Sequence, residues 1–229
     1  MARTVGDVAL FLDSLAGPDP REPIALAAPG RPYRDWAAEA RAPRRVAFSR
    51  DLGITPVDPE VADICAAAAR RFEDLGALVE EAHPDFSGAH ECFQTLRALG
   101  FATAHLERLR DHRDLLKPEV IWNTEKGLAL TGEEVARAQR LRGEIVERAR
   151  RFFEAYDLLL CPATVVAPFP VEQRWPTACA GVAFETYIDW LAIAYAPTLT
   201  AHPALSLTCG FTAAGLPVGL QMVGGPRGE

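Results

Sequence analysis

A hydrolase that works without a cofactor builds its nucleophile and base from serine, cysteine, histidine or lysine. This chain offers few of them. Its serines are Ser14, Ser49, Ser87 and Ser206, and its lysines are Lys117 and Lys126. A catalytic serine needs a base beside it and an oxyanion site, commonly on a glycine-rich turn. None of the four lies in GxSxG, in SxxK or in a Gly-Ser-rich loop. Ser14 belongs to an amphipathic helix pattern, Ser49 ends a short strand pattern, and Ser206 lies inside an apolar run. They are expected to be structural hydroxyls. The two lysines stand in a polar stretch punctuated by Pro118 and Gly127, without the apolar surroundings that lower an ammonium pKa.

Thiol and metal chemistry fare no better. Cys65, Cys92, Cys161, Cys179 and Cys209 are odd in number, form no CxxC pair and stand among small or apolar neighbours. Free buried thiols of a reducing, cytoplasmic compartment are expected. His202 and Cys209 would be about 23 Å apart along an extended strand, while Cys161 with His202 stays open as a pair. His83, His90, His105, His112 and His202 show neither HExxH nor a tight His/Cys cluster, so no metal or cofactor is expected.

The elements that would carry these residues follow from periodicity. Thr4 and Asp7 open a helix with Val5, Val8, Leu12 and Leu15 on one side, stopped at Gly17-Pro18. Residues 19–43 are expected to be an irregular connection. A strand over 44–49 leads to a helix capped by Asp58-Pro59, with Val61, Ile64, Cys65, Ala68, Phe72 and Leu75 as its stripe. Gly76 ends that helix, and the strand at 77–82 completes a parallel strand–helix–strand unit. A helix over 88–110 places Cys92, Phe93, Leu96, Leu99, Thr103 and Leu106 together. Thr131 and Glu134 cap another, long helix whose charged face is expected to be solvated. A buried strand over 157–161, a Pro-rich loop to Pro176, a helix around 184–194 and a hairpin of 204–211 with 216–223 complete the pattern.

Length and composition set outer limits. At 229 residues, 49% hydrophobic and 24% charged, the chain can bury a substantial core. A net charge of −7 gives no footprint for nucleic acid or an anionic membrane, and no apolar run reaches the ~18 residues of a membrane span. Of the 24 basic residues all but two are Arg, which looks like codon bias and points to no partner.

Three strings resemble the amidase signature hydrolases. MARTVGDVALFLDSLAGPDPRE is similar to the helix that follows the family's catalytic serine segment. LLLCPATVVAPFP resembles its central strand and Pro-rich loop. YAPTLTAHPALSLTCGFTAAGLPVGLQMVGGPRGE resembles its C-terminal hairpin, with GLPVGLQMVG the most specific piece. The resemblance implies an α/β/α sandwich around a mixed, mostly parallel sheet. It also implies hydrolysis of carboxamide C–N bonds by a Ser–cis-Ser–Lys triad, through an acyl-enzyme.

In the family pattern those catalytic residues precede MARTV, so no catalytic role passes to any residue here. Residues 1–229 are expected to be the C-terminal portion of a single amidase domain, truncated at both ends. The resemblance offers Thr164, Tyr195 and Thr198 as substrate-binding candidates on the acyl side. Departures stand at Thr198, Ala201 and Thr208, where the family often has Asn, Gly and Pro. The implied partners are a small-molecule amide and either a complementary N-terminal half or a second copy. A non-catalytic binding or scaffold protein derived from that half is the alternative.

Overall fold

A computed structural model describes residues 1–39 and 41–228, which form two compact units, 1–42 and 43–228. In the first unit, α1 (Val5–Leu15) starts at Thr4, whose Oγ1 accepts the Asp7 N–H at 3.1 Å and donates to the Asp7 carboxylate at 2.8 Å. Of α1 only Ala9 is buried, so the apolar stripe expected there remains largely uncovered. The connection expected to be irregular contains a short helix, α2 (Tyr33–Ala38). Periodicity gives no sign of it because a distant residue starts it. The Asp13 carboxylate accepts the Tyr33 and Arg34 N–H groups at 2.5 and 3.4 Å and so satisfies donors that a local cap would otherwise take.

The second unit is built on five strands. These are β1 (Arg45–Phe48), β2 (Leu78–Glu81), β3 (Leu158–Pro162), β6 (Ala204–Phe211) and β7 (Pro217–Gly224). Their order is β2-β1-β3-β7-β6, parallel across β2-β1-β3 and antiparallel from β3 through β7 to β6. A separate small hairpin, β4 (Ala178–Cys179) with β5 (Val182–Ala183), interrupts the loop region that sequence patterning leaves featureless.

Alternation along the strands divides the core between two faces. Val46, Phe48 and Leu160 face α3 (Pro59–Arg70) through Val61, Cys65, Ala66 and Ala69. Ala47, Leu159 and Cys161 face the opposite layer, which holds α4 (Ala89–Asp111), α6 (Gly132–Phe152) and α7 (Ala192–Leu199). Leu159 and Leu160 are adjacent in sequence, both fully buried, and worth about 1.5–3 kcal/mol each on opposite sides. Helices cover both faces of the mixed sheet, giving the three-layer α/β/α architecture implied by the resemblance.

Several local expectations need correction. The stretch from Lys117, which caps it, through Lys126 is a helix, α5 (Pro118–Leu128), in which Gly127 allows close approach to α4 rather than breaking the chain. Along α4 the buried side passes through Ala98 and Ala102, so Leu99, Thr103 and Leu106 are not in its deepest part. The helix expected from 184 begins later, with a turn at Asp189–Leu191 followed by α7. Asp189 causes the delay, because its carboxylate accepts the Glu185 and Thr186 N–H groups at 2.9 and 2.7 Å and holds them in a turn. Two members of the supposedly solvated face of α6 also turn inward: Arg142 donates to Leu199 O and Arg148 to Ser87 O.

Candidate functional site

The most elaborated polar structure surrounds α7. Gln221, on β7, lies 9% exposed and donates through Nε2 to Ile193 O at 3.2 Å and to the Cys161 thiol, also at 3.2 Å. One amide therefore ties β7 and β3 to the helix above them. Tyr195, 3% exposed, lies flat on Phe93 with ring centroids 3.9 Å apart. Its hydroxyl meets His90 Nδ1, and His90 Nε2 meets Ile54 O at 2.9 Å. A carbonyl only accepts, so Nε2 carries a proton; in the neutral imidazole Nδ1 then offers a lone pair, and the Tyr195 hydroxyl donates to it. Burial pushes the phenol above its ordinary value, which keeps that proton in place.

One turn further on, the Thr198 hydroxyl donates to Tyr195 O at 2.7 Å. Thr198 also borders a groove of about 450 Å³ between α4, α6 and the end of α7. Thr164 stands elsewhere, on the loop after β3, where its hydroxyl donates to Val166 O at 2.9 Å. That loop is pinned at each side, by Ala163 N–H to Gly219 O at 2.9 Å and Asp58 N–H to Val165 O at 2.8 Å. Of the three candidates, Tyr195 and Thr198 share one helix, and Thr164 makes its own separate contact. Sequence reasoning misses His90. Only its placement at the start of α4, opposite Tyr195, reveals it, and neighbouring residues carry no signal for that.

The nucleophile inventory has equally specific geometry. Ser14 donates to Leu10 O, Ser49 accepts the Leu52 N–H at 3.0 Å, and Ser87 donates to Asp85 at 2.6 Å. Lys126 donates to Gln94 at 2.9 Å and lies over the Trp122 ring. Among the described residues no serine hydroxyl is hydrogen-bonded to a lysine or histidine. All five cysteines are free thiols, and burial pushes Cys161 up to about 12. Cys161 is engaged by Gln221, whereas His202 stacks on Phe153 at 4.8 Å with both ring nitrogens buried and without partners. These contacts leave Cys161 and His202 separately occupied.

Among the described residues no group of three or more His, Cys, Asp or Glu is placed to hold a metal ion. None of the described helices is long and apolar enough to cross a membrane. Arg97 joins a second polar set, donating to the Tyr187 hydroxyl at 3.1 Å, where Asn123 Nδ2 also donates. Trp122 meets Tyr187 edge-on, and Trp190 meets Phe169 likewise, so these indoles serve as packing aromatics at the rim of α5 and α7.

The fold is similar to that of several solved structures. They include a bacterial aryl acylamidase of the amidase signature enzymes, with a TM-score of 0.88 at 22% identity over 99% of this chain and 49% of that one. A 6-aminohexanoate cyclic dimer hydrolase gives 0.82 at 23% identity, over 98% of this chain and 50% of the other. The Amidase family model matches residues 1–229, and the chain belongs to that family.

Curated relatives agree. An acylamidase of Rhodococcus erythropolis is 35% identical over 97% of this chain and 47% of its own length. An amidase of Pseudomonas putida is 27% identical over 94% of this chain and 47% of its own. The chain thus spans about half the length of the curated relatives it matches.

Proposed function

We propose that the chain is the C-terminal portion of an amidase domain that hydrolyses carboxamide C–N bonds, with the nucleophile and its base supplied by a complementary N-terminal portion. One observation carries this reading: the family match covers residues 1–229 yet only about half of each relative. It is supported by the hydrogen bonds that tie Ser14, Ser49 and Ser87 to partners other than a lysine or histidine. In this reading the chain contributes half of the sheet and part of the acyl side of the pocket. Tyr195 and Thr198 line it from α7, and Thr164 lines it from the loop after β3. The catalytic serine attacks the amide carbonyl, the amine leaves, and water releases the acid from the acyl-enzyme.

The test pairs the purified chain with the N-terminal half of the Rhodococcus acylamidase, co-expressed, and follows release of 4-nitroaniline from 4-nitroacetanilide. The chain alone is expected to be inactive and the pair active. Enzyme-like turnover by the chain alone would show that it holds its own nucleophile. An inactive pair that nonetheless copurifies would favour a second reading, a binding partner that completes another chain's sheet. The exposed strand β6, hydrogen-bonded on one side only, is the feature that favours it.

A further inference from the structure

The groove beside Thr198 has an unusual combination of walls. Phe93, Leu96, Phe101 and Leu199 make it apolar, Arg97, Arg142 and His105 stand in it, and among the described residues no acidic side chain lines it. Its volume of about 450 Å³ falls within the ~300–1,000 Å³ common for small-molecule sites. The chain is acidic overall, with 31 Asp and Glu against 24 Lys and Arg.

Each guanidinium is held in place by contacts that leave donors over. Arg97 lies 4.7 Å from the Phe101 centroid and 5.7 Å from that of Tyr187, with one N–H given to the Tyr187 hydroxyl. Its Nε is buried and has no partner. Arg142 spends its Nε on Leu199 O at 3.2 Å. A guanidinium has five N–H donors, so both retain hydrogens for a ligand. Among the described residues neither has a carboxylate within 4.0 Å, whereas Arg137, Arg150 and Arg151 on the same helix as Arg142 all do. Arginine fixed on aromatic faces loses little freedom when it accepts a carboxylate, and the planar fork fits one bidentately.

We infer that this groove binds an amphipathic carboxylate, with its apolar chain or ring against Phe93, Leu96 and Leu199 and its carboxylate between Arg97 and Arg142. The inference shares Thr198 with the amidase reading but rests on binding alone and requires no turnover.

Isothermal titration of the full chain with octanoate, octanamide and octylammonium tests it. Octanoate is expected to bind at least tenfold more tightly than the amide, and the ammonium not measurably. Arg142→Met should weaken octanoate at least tenfold and leave the amide unchanged, with an unaltered circular dichroism spectrum. Arg97→Met should do the same, and Arg142 keeps the test decisive if the Arg97 variant does not fold. Equal affinity for all three ligands, or no binding of octanoate to folded protein, overturns the inference. An inactive co-expressed pair with octanoate still bound would sink the amidase reading and leave this one standing, and the converse holds equally.

Discussion

A Cβ built on Gly127 of α5 would fall 2.0 Å from the carbonyl oxygen of Ala98 on α4 and 2.8 Å from the Ala102 methyl. The two helices are therefore in backbone contact, and the pair can separate only by disturbing the buried Asn123 and Thr124 on the same helix. Gly127→Ala is expected to destabilise the fold by about 2–3 kcal/mol, at the upper end of overpacking costs because a carbonyl cannot rotate away. Gly143, in the middle of α6, faces open space, so Gly143→Ala should stabilise by about 1 kcal/mol. Urea denaturation of the two variants side by side checks both signs.

Ala201 follows α7 with φ at +57°, in the left-handed region where a Cβ is strained. The backbone there is one that glycine adopts without strain. Relief of about 1–2 kcal/mol is partly offset by the greater freedom glycine gives the unfolded chain. Ala201→Gly should gain about 0.5–1 kcal/mol in the same denaturation assay, and a loss of stability would contradict the conformation described.

Alkaline stability follows from buried acids: burial raises all five thiols, Cys65, Cys92, Cys161, Cys179 and Cys209, and the Tyr195 phenol. Burial pushes the Cys161 thiol from 9.0 up to about 12 and raises the Tyr195 phenol above 10.0. Both must stay protonated in the fold but ionise in the unfolded chain. Their contribution is whole below about pH 9 and falls as the pH rises towards about 12. The urea midpoint should drop between about pH 9 and 11, and Tyr195→Phe should flatten the part above about pH 10. At neutral pH that variant costs about 1–3 kcal/mol through the stranded His90 Nδ1. Alkylation gives an independent reading: iodoacetamide at about pH 9 should leave Cys161 unmodified in native protein and label it in urea.

Edge strand β6 shows Phe211 65% and Leu207 39% exposed. An open edge with exposed apolar side chains promotes pairing between chains. Light scattering should report less association for Leu207→Lys/Phe211→Lys than for the parent at equal concentration. Equal scattering with unchanged circular dichroism would show that β6 is not the adhesive surface.

Much of the fold is legible because periodic apolar residues are also the buried ones. The Asp58 cap, the Thr131–Glu134 box and both strands of the C-terminal hairpin lie where their residues predict. What escapes is determined by contacts distant in sequence. Asp13 starts α2 from twenty residues away, and Gly127 reads as a break until α4 is seen against it. The candidate site divides in the same way. Resemblance can point to Tyr195 and Thr198, but His90 reaches α7 from α4, Arg142 reaches it from α6, and Arg97 borders the same groove, where no local spacing marks them. Arg142 and Arg148 look like surface charge because helical periodicity alone does not show which neighbour covers a face.

The position of β7 in the sheet sets a schedule for the ribosome. β3 gains β1 from chain already made, but its other neighbour begins at Pro217, after the whole stretch 163–216 has been translated. At roughly 5–20 residues per second that interval lasts about 3–11 s. Between the emergence of the two strands, the buried apolar strand Leu158–Pro162 lacks the neighbour that completes its hydrogen bonding. A nascent chain paused within this window offers a chaperone its clearest target.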